Sequence, residues 1–266
     1  MKLIKAALSK FSIACGIAFL LTGCVTQGTV LTQFRDMTRS EKNAEAVRIK
    51  TQLAVEYMNA RDYRAATVAI EDALKVDSGY DIAWLIRAQI YQFLKVYDKA
   101  EESFARALSI SPTGAEINNN YGWYLCSIKN NANAALPYFD KALADPTYPT
   151  PEMAYLNKAI CSAKLKQYGL ANAYYERALN LNPEFVPVFM ERARTKLEEG
   201  QYSEADRLFR IYQSRVNQLD AKALLLGWQI ARANNESQAA YEYEAQLRTN
   251  YPYSEELQSI SSGSTE

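Results

Sequence analysis

The chain has 266 residues, with 30 basic side chains against 30 acidic ones and no histidine. A zero balance supplies no electrostatic pull toward nucleic acid or an anionic membrane surface. The missing histidine removes the commonest general base, every Ser-His-Asp or Cys-His pair and most zinc sites, so a non-enzymatic protein is expected. Apolar residues make up 48% of the chain, enough for a core, and the low glycine and proline content excludes collagen-like and low-complexity chains.

The N-terminus carries Lys2, Lys5 and Lys10 with no acid nearby, then an apolar run from Phe11 to Leu21. That run is too short to span a bilayer, where about 20 residues are needed, and suits the core of a signal peptide. It ends in Leu21-Thr22-Gly23-Cys24, which resembles the lipobox of bacterial lipoproteins, where the cysteine is lipidated and becomes the first mature residue. The alternative is an ordinary signal peptide that happens to hold a cysteine. The lipobox assigns 1–23 to the signal, makes Cys24 the lipid site, and leaves 24–41 as a lipidated tether. By analogy with bacterial sorting, Val25 in place of Asp after the cysteine favours the outer membrane. The tether is polar but contains Val30, Leu31, Phe34 and Met37, and the sequence leaves open whether it docks on the body of the protein.

Cleavage before Cys24 leaves 27 basic and 30 acidic residues, a net charge of −3. Cys15 departs with the signal and Cys24 carries lipid, so Cys126 and Cys161 remain. In an oxidising periplasm a Cys126–Cys161 disulfide linking repeats 3 and 4 is expected; two buried free thiols are the alternative. Both fall on first helices of neighbouring repeats, at positions 12 and 10 of their units, which brings them to similar heights on adjacent helices.

From about residue 42 the sequence repeats. Trp84, Ala88, Tyr91, Ala100, Phe104, Ala107 and Pro112 match the tetratricopeptide (TPR) template, with Arg87 in place of a leucine. An alanine opening the second helix recurs at Ala66, Ala100, Ala135, Ala171, Ala205 and Ala239, at spacings of 34, 35, 36, 34 and 34. Four residues after each stands Ile70, Phe104, Phe139, Tyr175, Phe209 or Tyr243, and the first helix keeps a small residue at Ala54, Ala88, Gly122, Ala159, Ala193 and Gly227. Small residues let the two helices of a unit approach, and the aromatic fills the space between units. The expectation is an all-α solenoid of six helix-turn-helix units and twelve helices over 42–254, with repeats at about 47–80, 81–114, 115–150, 151–185, 186–219 and 220–254. Repeat 3 carries an extra residue around 130–133, and a proline-rich junction, Pro146 to Pro151, leads into repeat 4. Residues 255–266 read as a frayed, Ser-rich tail.

A TPR stack has a concave face suited to peptides or protein segments. No phosphate loop, CxxC or G-x-S-x-G motif is present, and adjacent acids such as Glu198-Glu199 do not face one another on a helix. Positions 2, 5, 9 and 12 of each first helix are expected to line the groove. In the first two repeats this places Val55, Met58, Ile82 and Leu85 in an apolar strip, a candidate partner surface, unless the tether packs there or these are core residues. In repeat 3 it places Asn119 and Trp123 in the groove, the first as a hydrogen-bonding amide for an extended peptide and the second as an anchor. Ordinary TPR packing accounts for either residue as well.

A lipobox, a short tether and six TPR units filling the mature chain together resemble the type IV pilus biogenesis/stability lipoproteins of the PilF/PilW type, the secretin pilotins. Gln52 to Tyr57, Asn119 to Cys126 and Asn157 to Cys161 carry the likeness most visibly. The resemblance implies a non-enzymatic outer-membrane lipoprotein that binds the pilus secretin subunit and promotes its localisation and multimer assembly. It implies no cofactor beyond the lipid on Cys24, no nucleic acid and no small-molecule substrate. A TPR lipoprotein serving another envelope machine is the alternative.

Overall fold

A computed structural model describes residues 37–262, which hold thirteen α-helices and no strand. Cys24, the signal segment and most of the tether lie outside the described residues. The helices are α1 (Arg39–Asn59), α2 (Tyr63–Val76), α3 (Asp81–Phe93), α4 (Tyr97–Ile110), α5 (Ala115–Ser127), α6 (Ala132–Leu143) and α7 (Pro151–Lys164). They continue as α8 (Tyr168–Leu181), α9 (Pro187–Glu198), α10 (Tyr202–Arg215), α11 (Ala221–Ala233), α12 (Ser237–Asn250) and α13 (Glu255–Ser262). The chain divides between Tyr80 and Asp81 into two compact bodies, the first holding α1 and α2 and the second α3 to α13.

In the first body α1 starts earlier than the sequence suggests, at Arg39 within the expected tether. The reason is a capping box: the Glu41 N–H donates to Thr38 Oγ1 at 3.2 Å, and the Thr38 N–H donates to Glu41 Oε2 at 2.7 Å. Ala54 of α1 and Ala66 and Ile70 of α2 are fully buried between the two helices.

The second body repeats the same pairing five times. Ala88, Ala100 and Phe104, then Ala135 and Phe139, then Ala159, Ala171 and Tyr175, are all completely buried. Each turn between the helices of a pair holds one residue in the left-handed region: Arg61, Lys95, Asn130, Lys166, Gly200 and Asn235. It ends the first helix by a backbone bond back across the turn, as from Val96 N–H to Tyr91 O and from Gln167 N–H to Ser162 O. In the α5–α6 turn the bond runs from Asn131 N–H to Leu125 O, one residue longer than the others. That is the extra residue of repeat 3. Pro137 lies inside α6.

Cys126 of α5 and Cys161 of α7 are bonded, with Cα atoms 6.0 Å apart, inside the range a disulfide accepts. Both are fully buried against Ala135 and Phe139. Lys158, at a position where the TPR pattern prefers leucine, is buried yet satisfied: its ammonium donates to the Asp140 carboxylate and lies 4.5 Å from the Tyr174 ring centre.

The expected frayed tail is corrected over 255–262, while 263–266 lie outside the described residues. Residues Glu255–Ser262 form a thirteenth helix whose Leu257 is buried against Leu224 and Leu247. It covers apolar surface that the last pair would otherwise expose.

Candidate functional site

The first helices of successive pairs pack side by side in the second body, and α3, α5 and α7 together frame a cleft of about 460 Å³. Gln89 lines it from α3, Glu116, Asn119, Asn120 and Trp123 from α5, and Met153 and Asn157 from α7. Tyr148 and Thr150 close one side from the proline-rich junction.

The cleft is built on carboxamides. Asn157 Nδ2 donates to Asn119 Oδ1 at 3.0 Å, and both residues are buried. Gln89 Nε2 donates to Asn120 Oδ1 at 2.8 Å, and Asn120 Nδ2 donates to the Glu116 carbonyl at 2.8 Å. These bonds fix each amide's orientation and use only part of its capacity, since a carboxamide has two N–H donors and two acceptor lone pairs. Asn118 points elsewhere: its Nδ2 donates to the Pro112 and Gly114 carbonyls at 3.0 and 2.9 Å, closing the turn before α5.

No lysine or arginine lines the cleft. Desolvation of the Glu116 carboxyl, helped by the negative charge of Asp81, raises its pKa above the usual carboxylate value. Burial likewise pushes the Tyr148 phenol up, against hydrogen bonding to Thr150 and Asn119. Half-buried Trp123 and exposed Met153 supply apolar surface beside the amides. The arrangement suits the main chain of an extended polypeptide: amides pair with peptide N–H and C=O groups, and the local charge disfavours an acidic segment.

The residues proposed from sequence separate here. Asn119 and Trp123 both line the cleft, but Asn119 is its buried floor and not a free edge. Leu85 is a correction: it is completely buried with Phe104, Ile117 and Tyr124, so it offers no partner surface. The reason is general to position 5, since Asn119 and Leu156 at the same position are only 5% exposed. That position faces the seam between first helices. Ile82 is half-buried and packs on the same core. Val55 and Met58 are half-buried in the first body. Sequence reasoning missed Asn157 and Tyr148. Asn157 stands one place after position 5 in α7, as Asn120 does in α5, and that match was the available signal. Tyr148 comes from a junction that helical periodicity does not place.

A family model described as the tetratricopeptide repeat protein 21 N-terminal ARM repeat matches residues 63–206. The crystal structure of PilW, a widely conserved type IV pilus biogenesis factor, is 62% identical in sequence, with a TM-score of 0.73 over 80% of this chain and 97% of that one. This chain belongs to the PilW/PilF family of tetratricopeptide-repeat proteins. The type IV pilus assembly protein PilF of Pseudomonas aeruginosa is 29% identical over 242 residues, spanning 91% of this chain and 94% of that protein. The P. aeruginosa PilF structure matches at 26% identity and a TM-score of 0.66, over 84% of this chain and 99% of that one. A tetratricopeptide repeat protein from Parabacteroides merdae, at 18% identity and a TM-score of 0.67, shares the fold.

Proposed function

We propose that this chain is an outer-membrane lipoprotein pilotin. It binds the type IV pilus secretin subunit and promotes its outer-membrane localisation and multimer assembly, and through these pilus biogenesis and twitching motility. The observation that carries this reading is the 62% identity to PilW, a type IV pilus biogenesis factor, across nearly all of that chain. Acyl chains on Cys24 supply membrane affinity of about 0.8 kcal/mol per buried methylene, and more than one chain makes the anchoring stable. The amide cleft takes an extended, neutral or basic segment of the unassembled subunit. Carrying that segment to the membrane raises its local concentration there and favours ring formation. No chemical step and no cofactor enter this account.

The test has two arms. Cys24→Ala is introduced in the cell and envelopes are fractionated. The protein is expected to leave the outer membrane and secretin multimers there to fall. Unchanged multimers overturn the targeting role. Pull-down from detergent-solubilised envelopes, scored for secretin, is expected to succeed with the native chain and to weaken with Asn120→Ala/Trp123→Ala at unchanged helical circular dichroism. Recovery of peptidoglycan enzymes or outer-membrane insertion factors without secretin would favour the other envelope scaffold.

A further inference from the structure

The turn between α3 and α4 departs from the others in the second body. It reads Phe93-Leu94-Lys95-Val96-Tyr97, and Phe93, Leu94, Val96 and Tyr97 are 61%, 41%, 39% and 37% exposed. Val96 is the N-cap of α4, the place where α6, α8, α10 and α12 have Asn131, Gln167, Gln201 and Glu236. The Asn131 side chain caps α6 by accepting from the Ala134 N–H at 3.2 Å, whereas Val96 makes no side-chain cap bond. Valine is among the poorest N-cap residues, so this turn gives up local stability to carry an exposed apolar side chain. A local rule broken in this way points to function.

We propose that this turn enters the interface of a lipid bilayer, with Phe93, Leu94 and Val96 at the outer acyl segments and Lys95 at the headgroups. The backbone of the tip is already closed. The N–H groups of Leu94, Lys95 and Val96 donate to the carbonyls of Ile90, Gln92 and Tyr91 at 3.0, 3.1 and 2.9 Å, so none enters lipid unpaired. The lysine stem is long enough to keep its ammonium in the headgroups while its neighbours sink, and tyrosine is a residue that membrane interfaces collect. The area also favours lipid over a protein. At about 200 Å² a side chain, the exposed fractions of the four residues come to roughly 350 Å². A stable protein interface takes about 800 Å² from each partner.

Charge on the same edge is complementary to anionic headgroups. The α3–α4, α5–α6 and α7–α8 turns, over 93–97, 128–131 and 165–167, hold Lys95, Lys129 and Lys166 and no acid. They are neighbours: the Tyr124 hydroxyl of α5 donates to the Tyr97 carbonyl at 3.3 Å, and Lys164 Nζ at the end of α7 donates to the Cys126 carbonyl at 3.1 Å. Lys129 is engaged by Glu101 at 2.7 Å, while Lys95 and Lys166 are exposed beside the apolar tip. The balanced charge of the whole chain hides this local excess, which a negative leaflet attracts. Insertion sets α3, α5 and α7 with their C-terminal ends toward the membrane and so orients the amide cleft. The inference rests on the lipoprotein reading only for what holds the domain at the bilayer.

The test uses the full chain, expressed with its own leader, purified from envelopes in detergent and mixed with vesicles of phosphatidylethanolamine and phosphatidylglycerol. Lys95→Cys carries an environment-sensitive fluorophore. Tyr253→Cys is the control, because Tyr253 is 91% exposed in the α12–α13 turn, on the opposite edge. Quenching by a lipid with a nitroxide near its headgroup is expected to be at least twofold stronger at 95 than at 253. It is expected to fall to the control level when Phe93, Leu94 and Val96 are replaced by serine, at unchanged helical circular dichroism. Equal quenching at both sites, or no effect of the serines, overturns the proposal. Flotation of the chain with the vesicles is scored alongside. A chain that floats while the probe at 95 stays in water overturns insertion and leaves the lipid anchor intact. Quenching at high lipid in a chain that does not float supports insertion and removes the anchor, and neither signal overturns both. Burial of the probe without vesicles, rising with protein concentration, gives the turn to a second copy; burial only on adding secretin gives it to that partner. Either result overturns the proposal.

Discussion

Gly227→Ala should destabilise this protein, against the ordinary expectation for a glycine inside a helix. Gly227 sits near the middle of α11, at the position where α1, α3, α7 and α9 carry the buried alanines Ala54, Ala88, Ala159 and Ala193. Sequence comparison among the repeats therefore recommends alanine, and helix propensity adds a gain of about 0.8–1.0 kcal/mol. The packing reverses the sign. A β-carbon at Gly227 would stand 2.8 Å from Phe209 Cε1 and 2.8 Å from both Cε1 and Cζ of Tyr243. Neither ring is free to retreat. Phe209 is 1% exposed, the two rings pack edge to face with centroids 6.0 Å apart, and the Tyr243 hydroxyl accepts a 3.0 Å bond from Gln213 Nε2.

Overpacking a close-packed core costs about 1–3 kcal/mol, and two pinned rings place this site in the upper half of that range. After the propensity gain the net loss is about 1–2 kcal/mol, or about 3–6 °C in melting temperature for a chain of this length. Thermal melts followed by circular dichroism check it. Adding Phe209→Leu, which removes one of the two obstructing rings, should reduce the cost of the alanine relative to its cost in the native background. Gly122→Ala meets one ring, that of Phe139, and should cost less. A Gly227→Ala melting temperature equal to or above the native one would refute the reasoning, because it would mean that the rings yield and propensity decides.

Non-reducing intact mass with alkylation should find no free thiol at Cys126 or Cys161, and Cys126→Ala/Cys161→Ala should lower unfolding free energy by about 2–4 kcal/mol in urea titration. For Lys158, burial opposes the ammonium, but bonding to Asp140 and Tyr174 outweighs it, so the folded pKa is raised. The resulting stability is complete below the unfolded lysine value of about 10.4 and fades as pH rises through the higher folded value. The stability difference between native chain and Lys158→Met, measured from pH 8 to 11.5, should therefore shift in favour of the methionine variant at the alkaline end. A flat difference would contradict the raised pKa. Leu257→Ala should cost about 2–3 kcal/mol and speed amide exchange in α12, whose Leu247 it covers.

The repeat was readable because its strongest constraint is steric and periodic. An alanine opening the second helix and a small residue in the first must meet wherever two helices approach closely, and Ala66, Ala100, Ala135, Ala171 and Ala205 are all fully buried. The thirteenth helix was not readable for the opposite reason. Eight residues with a single buried leucine make too short a period to detect, and a helix of that length is held by the surface it covers, not by its own propensity. Leu85 was misplaced because position 5 sits at the border between the groove and the seam of adjacent first helices. A sequence gives the angle of a side chain around its own helix, while burial there depends on how near the next helix lies.

The same border explains what the cleft is. Asn119 occupies position 5, where Leu85 and Leu156 are buried hydrophobic residues. Placing a carboxamide at a buried position costs about 1–3 kcal/mol unless it is hydrogen-bonded. Asn157 Nδ2 makes that bond from α7, so the two amides are tolerable together and costly singly. A pair of apolar residues would fill the seam with less risk. The amide pair forms the buried floor of the cleft beside Gln89 and Asn120, whose own bond spans α3 and α5. Three successive first helices are thus joined by side-chain amides along one wall. A polypeptide bound there would be held by a surface whose donors and acceptors are already oriented, which lowers the entropy lost on binding. Periodicity in the sequence could indicate that these asparagines lie near the groove; only the packing separates the floor, Asn119 and Asn157, from the rim of the cleft, Gln89, Asn120 and Trp123.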